Sequence, residues 1–440
     1  MLPALALLVA LSVPALSIPQ QRPDDPDATL ALVGARILPV AGPPIENGTL
    51  VVRGGVIAHV GPLASTPVPA GAIVRDVTGK VIVPGLVDTH SHIGAVEGGD
   101  RSAPIQPEVR VLDSVDVLDP SLSRARAGGI TTVNVMPGSG HLLSGQTVYL
   151  KLRKGKTVEE LAVRNADGSI AGGIKMANGT NSRRDPPFPG TRAKSASLVR
   201  ERYVAAQEYA RKLADPDPEK RPDRDLGMEA LLEALAGKRI VHHHTHRHDD
   251  VLTVLRLAQE FGLRVVLHHV SDAWKVADEI AAAKVPCSLI VIDSPGGKLE
   301  ARDMRWESAR ILVEKGVSVA FHTDDWITDS RLFMRSAALA VRAGLSREKA
   351  LEGLTLAGAR MLDLGERVGS LEVGKDADFV VLDGEPFSVY TRVLETWVEG
   401  KKVFDRTDPT DHLFAVGGFG AGSPRVPPCC EGEGDEEDDR

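Results

Sequence analysis

Between residues 80 and 365, short apolar runs alternate with stretches of helical spacing. The runs include GGITTVNVM, GKRIVHHH, GLRVVLHH, KVPCSLIVID and GVSVAFHTDD. The helical stretches include DDVLTVLRLAQEFG, SDAWKVADEIAAAK and ESARILVEKG. This alternation is typical of parallel βαβ units, and its length suits an α/β fold of the (β/α)8 TIM-like barrel type. A doubly wound open sheet is the rival fold.

The two segments that flank this region have a different residue pattern. Residues 29–79 and 366–404 contain short β-rich runs and turns without helical periodicity. We therefore predict that they pair into one small β-sandwich domain. The barrel, residues 80–365, is then an insertion between its two halves.

Both ends of the chain carry sequence signals of their own. Residues 1–17, MLPALALLVALSVPALS, are apolar and end in small residues, which predicts a cleaved signal peptide and export to the periplasm or the medium. The rival is an uncleaved membrane anchor, for which the run is too short. Residues 424–440 are predicted to form a disordered acidic tail, which carries most of the net charge of -8.

Charge and cysteine content exclude several classes of partner and fold. Outside the acidic tail the charges nearly balance, so nothing predicts binding to nucleic acid or, after signal cleavage, to a membrane. The three cysteines, Cys287, Cys429 and Cys430, do not make a disulfide framework. The sequence leaves open whether the chain forms a homo-oligomer.

The segment VPGLVDTHSHIG, residues 83–94, places polar side chains in an apolar strand. Asp88, His90 and His92 alternate along it and therefore share one face. Burying such groups without partners costs free energy. This face is therefore a candidate site.

Three later strands also end in an imidazole or a carboxylate. His244 ends KRIVHHH, His269 ends GLRVVLHH, and Asp324 ends GVSVAFHTD. The carboxyl ends of barrel strands meet at one mouth, where active sites of such barrels lie. Each buried unpaired imidazole would cost about 1–3 kcal/mol, and a bound cation removes that cost. We therefore predict a divalent metal site, with zinc as the expected ion; the rival is that each histidine caps or packs alone.

Several neighbouring histidines compete with these candidates: His242, His243, His246, His248, His268 and His322. Asp249 or Asp250 is expected to cap the following helix, which favours His244 over the earlier His242. Five histidines within seven residues are also typical of a surface metal buffer. Periodicity does not decide between His268 and His269.

Taken together, VIVPGLVDTHSHIG, AGGITTV, the two mid-barrel histidines, HTDD and RVGSLEVGKDADFVVLDGEPF resemble the metal-dependent amidohydrolase superfamily. The resemblance runs from about residue 29 to 404 and is closest to the imidazolonepropionase-like branch, which includes dipeptidases and prolidases. It implies that His90 and His92 bind one metal ion with Asp324. It implies that His244 and His269 bind a second.

The resemblance also implies a bridging lysine that carbon dioxide has carboxylated. Lys175, in AGGIKMANGT, is the candidate, and two ions are expected if it is carboxylated. Its rival role is an ordinary lysine whose head reaches solvent, which would leave one ion. Asp88 is expected to be a structural carboxylate, or one that orients a ligand, rather than a metal ligand. His322 shares a face with Asp324 by strand parity and is also expected to orient ligands.

The expected reaction is hydrolysis of an amide, peptide or cyclic amide C–N bond by a metal-activated hydroxide. Asp324 would carry the proton from the attacking water to the leaving nitrogen. The leading hypothesis is an exported dipeptidase-like or prolidase-like enzyme. The alternative is a mononuclear deaminase on the same scaffold; a non-catalytic assembly protein is disfavoured because every expected ligand is present.

Substrate recognition is assigned to loops that follow the strands. His141, Arg183 and Arg184 are the candidates, because a guanidinium can bind a carboxylate through two parallel hydrogen bonds. The expected partner is a small-molecule amide or dipeptide. The rival interpretation of both arginines is that they are solvated surface residues.

Overall fold

The computed structural model describes residues 28–96, 98–292, 298–325 and 327–417. The predicted signal peptide, the predicted acidic tail, Cys429 and Cys430 lie outside the described residues, so export and disorder stay predictions. Among the helices that the structure describes, none has the length and apolar character needed to cross a membrane.

The described strands and helices follow the predicted alternation through the central region. The strands are β1 Leu30–Ile37, β2 Ile45–Arg53, β3 Val56–Pro62, β4 Ile73–Asp76, β5 Val81–Pro84, β6 Leu86–Ser91, β7 Ile130–Val135, β8 Leu143–Gln146, β9 Val148–Lys151, β10 Ile174–Ala177, β11 Val241–Thr245, β12 Val265–His269, β13 Cys287–Leu289, β14 Val319–Phe321, β15 Phe379–Leu382, β16 Val393–Val398 and β17 Lys401–Asp405. The helices are α1 Pro120–Ala127, α2 Val158–Leu161, α3 Arg192–Leu213, α4 Leu226–Leu235, α5 His248–Phe261, α6 Ala277–Ala283, α7 Ser308–Glu314, α8 Phe333–Arg342, α9 Arg347–Leu354, α10 Leu356–Arg360 and α11 Pro409–Val416. Short 3-10 helices lie at Val111–Asp113, Pro218–Lys220, Ala273–Lys275, Leu299–Ala301 and Ser330–Leu332.

Strands from both ends of the described chain form one eight-stranded sheet. Its order is β17-β16-β15-β5-β1-β2-β3, with β4 paired to β1. The two halves meet where β5 and β15 pair antiparallel, with Ile82 opposite Val381. β5 lies beyond the predicted boundary at residue 79. The sandwich arrangement and the division into two domains stay predictions.

The central strands form an α/β barrel. β10 to β14 run parallel in chain order within one sheet, and β6 and β7 form a second parallel pair. The first and last strands meet where the Asp324 amide donates to the His90 carbonyl at 2.9 Å. This hydrogen bond brings the segment after β14 beside β6.

The third position of the barrel departs from the expected repeat. β8 pairs antiparallel with β10, and β9 pairs antiparallel with β7. The connection from β7 to β8 contains no described helix, and a parallel return needs a long crossover. The chain therefore returns antiparallel here.

Alternation along the strands sorts the barrel interior into levels. Ile240, Val266 and Ala320 form an apolar floor with Ala357 and Met361 beneath them. Two residues further along, the same faces carry the buried imidazoles of His242, His268 and His322. The apolar floor and the polar levels above it thus both follow from the two-residue period with which side chains alternate along a strand.

α5 shows how sequence periodicity becomes packing. Its buried apolar side chains recur with helical spacing and are Val251, Val254, Leu257, Ala258 and Phe261. The helix ends at Gly262, whose φ of 66° is in the left-handed region that glycine favours. The prediction that Asp249 or Asp250 caps it is wrong: the cap is Arg247, and both aspartates lie in the first turn and pair with arginines.

A buried ion cluster joins the barrel to the small sheet. Lys151, at the end of β9, is 1% exposed, and its Nζ lies 2.9 Å from Asp376 Oδ2 and 2.5 Å from Asp378 Oδ2. Burial raises the pKa of Asp378, and the Lys151 charge opposes that rise. Removing one partner of a buried pair leaves a charge without compensation.

We predict that Lys151→Met lowers the free energy of unfolding by about 3–5 kcal/mol, because Asp378 would then be buried without its cation. Chemical denaturation followed by circular dichroism measures this change. Lys154→Met is the control, since Lys154 is 61% exposed and should change stability by less than about 0.5 kcal/mol. Equal stability of the two variants would contradict a structural role for the cluster.

Candidate metal centre

The Asp324 carboxylate lies between the two histidines that end β6. Its Oδ1 is 3.0 Å from His92 Nε2 and 3.4 Å from His90 Nε2. The two imidazole Nε2 atoms are themselves 3.3 Å apart. His92 Nδ1 lies 2.7 Å from the Met136 carbonyl oxygen, which orients the ring so that Nε2 faces Asp324. Two imidazoles and a carboxylate thus converge on one point at the mouth.

Lys175 reaches the same point from β10. It is fully buried, and its Nζ lies 3.1 Å from His90 Nε2 and 3.1 Å from Met136 Sδ. Burial lowers the pKa of its amine to about 7, against the opposing charge of Asp324. The side chain therefore does not extend to solvent.

A second group of imidazoles lies at the ends of β11 and β12. The His244 ring centre is 4.4 Å from that of His269 and 4.7 Å from that of His246. His269 also approaches the first group, because its Nδ1 is 3.8 Å from Asp324 Oδ2. The two groups are thus adjacent and share Asp324 as a neighbour.

Backbone strain directs the side chains at two strand ends. His269 has a φ of 68° and Asp324 a φ of 50°, both in the left-handed region that non-glycine residues rarely adopt. Consecutive residues of a regular strand point to opposite faces. Because the backbone turns at His269, both His268 and His269 reach the barrel interior, where each contacts the His90 ring.

A hydrogen-bonded level lies beneath the mouth. The Tyr149 hydroxyl is 2.9 Å from His242 Nε2, and His242 Nδ1 is 3.0 Å from His268 Nε2. Both His242 nitrogens are therefore engaged with protein. Gly173 makes room for this ring, since a Cβ there would lie 2.4 Å from His242 Cδ2.

His322 also lies in this level, as its parity with Asp324 predicts. Its Nδ1 is 2.8 Å from Ser288 Oγ and its Nε2 is 3.2 Å from His269 Nδ1. Ser288 Oγ is in turn 2.6 Å from Thr89 Oγ1. His322 is thus placed to fix the orientation of His269.

Asp88 supports the junction of the first and last strands. Its Oδ1 accepts from the Thr323 amide at 3.1 Å and from the His90 amide at 3.2 Å, and its Oδ2 accepts from Thr323 Oγ1 at 2.5 Å. Burial raises its pKa to about 7, although these hydrogen bonds oppose the rise. Through these hydrogen bonds the Asp88 carboxylate joins two strands. No described hydrogen bond links it to a ring nitrogen of a proposed ligand.

The electrostatics of the mouth favour neutral imidazoles beside an ionised carboxylate. Burial lowers the pKa well below the ordinary histidine value at four residues: His90, His244, His268 and His269. Burial raises the pKa of Asp324, but the hydrogen bond with His92 and the nearby positive charges outweigh it and hold the pKa at about 2. Neutral imidazole and ionised carboxylate are the forms that bind metal.

The residues present fit a divalent cation. Seven buried histidine ring nitrogens have no hydrogen-bond partner among the described residues. Six lie in the barrel interior, and the seventh is His141 Nδ1 in the loop before β8; the six are His90 Nδ1, His244 Nδ1, His244 Nε2, His246 Nε2, His268 Nδ1 and His269 Nε2. Three compact donor sets lie in the barrel, and in each set the ligand atoms lie within 4.8 Å of one another: His90, His269 and Asp324; His244, His246 and His269; and His90 with His268 and His322 of the level beneath. Buried polar atoms without partners are costly, and a bound ion would pair several of them.

The three candidate substrate residues are placed in loops around β8 and β10. His141 Nε2 donates to the Asp100 carbonyl at 2.5 Å. Arg184 donates to the Gly140 carbonyl and lies 4.1 Å over the Phe188 ring, while Arg183 Nε donates to the Gly179 carbonyl at 3.1 Å. Among the described residues, none of these three side chains forms a hydrogen bond or an ion pair with His90 or Asp324, so their role in binding substrate stays a prediction.

Sequence reasoning overlooked two features of this centre. His246 lies with His244 and His269, although the sequence analysis named it only as a neighbour that competes with the candidates. The Tyr149 hydroxyl, which is far from His242 in the sequence, forms a hydrogen bond with His242 Nε2. Strand parity could have indicated His246, whereas no local pattern points to Tyr149.

Comparison with known proteins adds independent findings. The family model described as Amidohydrolase family matches residues 81–408. Imidazolonepropionase from Deinococcus radiodurans is 29% identical over 388 residues, which cover 78% of this chain and 86% of that protein. Amidohydrolase tasK from Hapsidospora irregularis is 27% identical over 391 residues, which cover 81% of this chain but only 40% of that protein.

Among solved structures, an amidohydrolase from Thermotoga maritima MSB8 superposes with a TM-score of 0.80 and 33% sequence identity. The match covers 86% of this chain and 100% of that one. The agreement in fold therefore extends over most of this chain.

Proposed function

This chain belongs to the amidohydrolase family, whose members are metal-dependent hydrolases of C–N bonds, and from that premise we propose that it cleaves an amide bond in a small substrate that carries a carboxylate. A dipeptide or an N-acyl amino acid is such a substrate. The observation that carries the proposal is the convergence of His90, His92, Lys175 and Asp324 at the barrel mouth.

The proposed ligands are His90, His92 and Asp324 for one cation and His244 and His269 for another. A divalent cation, when bound, lowers the pKa of a water molecule to near 7 and polarises the carbonyl under attack. Asp324 accepts the proton of the attacking water at a carboxylate oxygen and delivers it to the leaving nitrogen. His92 holds Oδ1 in place from 3.0 Å, and His269 lies 3.8 Å from Oδ2.

Lys175 is the proposed bridge between the two cations after carboxylation. Its Nζ is buried 3.1 Å from His90 Nε2, and no carboxylate of the described residues lies within 4 Å of it. A buried ammonium without an acidic partner is unfavourable. Carboxylation would replace it with an anion that bound cations would stabilise, which supports this role over a solvent-exposed lysine.

The arginines in the loop after β10 support a substrate with a carboxylate. Among the described residues, neither the Arg183 nor the Arg184 guanidinium has a carboxylate within 4 Å. Burial lowers the pKa of Arg184, and the Arg101 charge lowers it further. Each guanidinium has five N–H donors, and the described hydrogen bonds use few of them. An anionic substrate group would relieve this unpaired positive charge.

We predict that Asp324→Asn lowers kcat by about 10²–10⁴-fold on a panel of dipeptides and N-acyl amino acids, because the amide cannot accept the proton. Metal content should remain, since the amide oxygen can still coordinate. Steady-state kinetics and elemental analysis on the same preparation test this. Asp278→Asn, at a 75% exposed carboxylate, is the control, and full activity of Asp324→Asn would refute the proton shuttle.

We predict that Lys175→Ala reduces the metal content from two ions per chain to one, because the bridge is lost. Formate added to this variant should restore the second ion by supplying a free carboxylate. Elemental analysis after dialysis measures both effects, with Lys194→Ala, at a 54% exposed lysine, as the control. One ion per chain in both the unaltered protein and the variant would contradict the bridging role of Lys175. It would favour the mononuclear deaminase, and an assay for ammonia release would then test that activity.

We predict that amidation of the substrate carboxylate lowers kcat/KM by about 10–100-fold, since a charge-assisted hydrogen bond contributes about 1.5–3 kcal/mol. Arg184→Gln should reduce kcat/KM for the free acid while leaving that for the amide unchanged. The exposed Arg164, changed to Gln, serves as the control. If both substrate forms react equally well in the unaltered protein, the carboxylate proposal fails while hydrolysis itself stands.

A further inference from the structure

The end of β11 repeats the spacing that ends β6. His244-Thr245-His246 matches His90-Ser91-His92, so each strand presents two imidazoles separated by one residue. Residues at i and i+2 of a strand face the same side. The second pair therefore faces the barrel mouth as the first pair does, but only His244 of the second pair has a proposed ligand role.

The three imidazoles at this end of the barrel are spaced as ligands of one cation would be. Their ring centres are 4.4, 4.7 and 5.1 Å apart in the pairs His244–His269, His244–His246 and His246–His269. One nitrogen of each lies within 4.8 Å of one nitrogen of both others. A tetrahedral ion bonded to three imidazoles at about 2.0–2.1 Å would separate their ring centres by about 5 Å.

Ser271 decides which His246 nitrogen is available. His246 Nδ1 lies 2.8 Å from Ser271 Oγ, and Nε2 is buried without a partner among the described residues. If the hydroxyl donated to Nδ1, the proton would sit on Nε2 as a buried donor without an acceptor, which is costly. Nδ1 therefore donates to Ser271, and the lone pair of Nε2 faces His244 and His269, as in histidines that ligate metals.

We propose that His246 is a third protein ligand of the second cation, alongside His244 and His269. This inference rests on the proposed function, since it refines the donor set of that centre. Three neutral imidazoles are a donor set that binds zinc and leaves a position open. The second cation is then bound independently of Lys175, and it is the ion that remains when the lysine is removed.

The test measures zinc binding rather than turnover. His246→Asn should weaken one of the two zinc sites by more than about 100-fold in competition with a chromophoric chelator, because a direct ligand is lost. Ser271→Ala should weaken the same site by about 10–100-fold, the range for loss of a group that orients a ligand. His248→Asn is the matched control: this histidine is 47% exposed, begins α5 and should leave both affinities unchanged.

A second measurement does not depend on how the His246 variant folds. X-ray absorption at the zinc edge of Lys175→Ala loaded with one zinc ion should show three imidazole ligands. Finding only two imidazole ligands at this zinc ion would overturn the inference. A folded His246→Asn protein with unchanged zinc affinity and a raised KM would also overturn it and would assign His246 to substrate binding. If the unaltered protein binds no divalent cation, the proposed function fails as well.

Discussion

The hydrogen bond from the Asp324 amide to the His90 carbonyl closes the barrel, and every other feature of the metal centre depends on this junction. It brings together residues from the first and last barrel strands. Asp88 strengthens the same junction by accepting from the amide and the hydroxyl of Thr323. These hydrogen bonds between the segment after β14 and β6 thus hold the proposed proton carrier beside the first pair of histidines.

The interior above the apolar floor is filled with imidazoles rather than aliphatic side chains. Such a filling is tolerable only where ring nitrogens have partners. In the deeper level both His242 nitrogens have protein partners, Tyr149 and His268, although His268 Nδ1 has none among the described residues. At the mouth more ring nitrogens lack a protein partner, and this is where the ion is proposed to bind.

Local sequence patterns predicted much of the alternation and the polar strand ends. The apolar runs before His244, His269 and Asp324 became β11, β12 and β14, and DDVLTVLRLAQEFG became most of α5. The antiparallel return at β8 and β9 was not predicted, because strand direction depends on which neighbours a strand pairs with. The predicted helix cap was wrong because ion pairs engage both aspartates: Asp249 pairs with Arg247, two residues before it, and Asp250 pairs with Arg192 of α3.

The sequence by itself determined which side chains share a face, because a two-residue period is a property of any extended strand. That was sufficient to group Asp88, His90 and His92, and it also placed His322 beside Asp324. Only the tertiary structure decided among neighbouring histidines, since the left-handed backbone at His269 and the bond from His246 to Ser271 arise where separate strands and loops meet. Availability of a ring nitrogen depends on what packs against it, and residues distant in the chain supply those contacts.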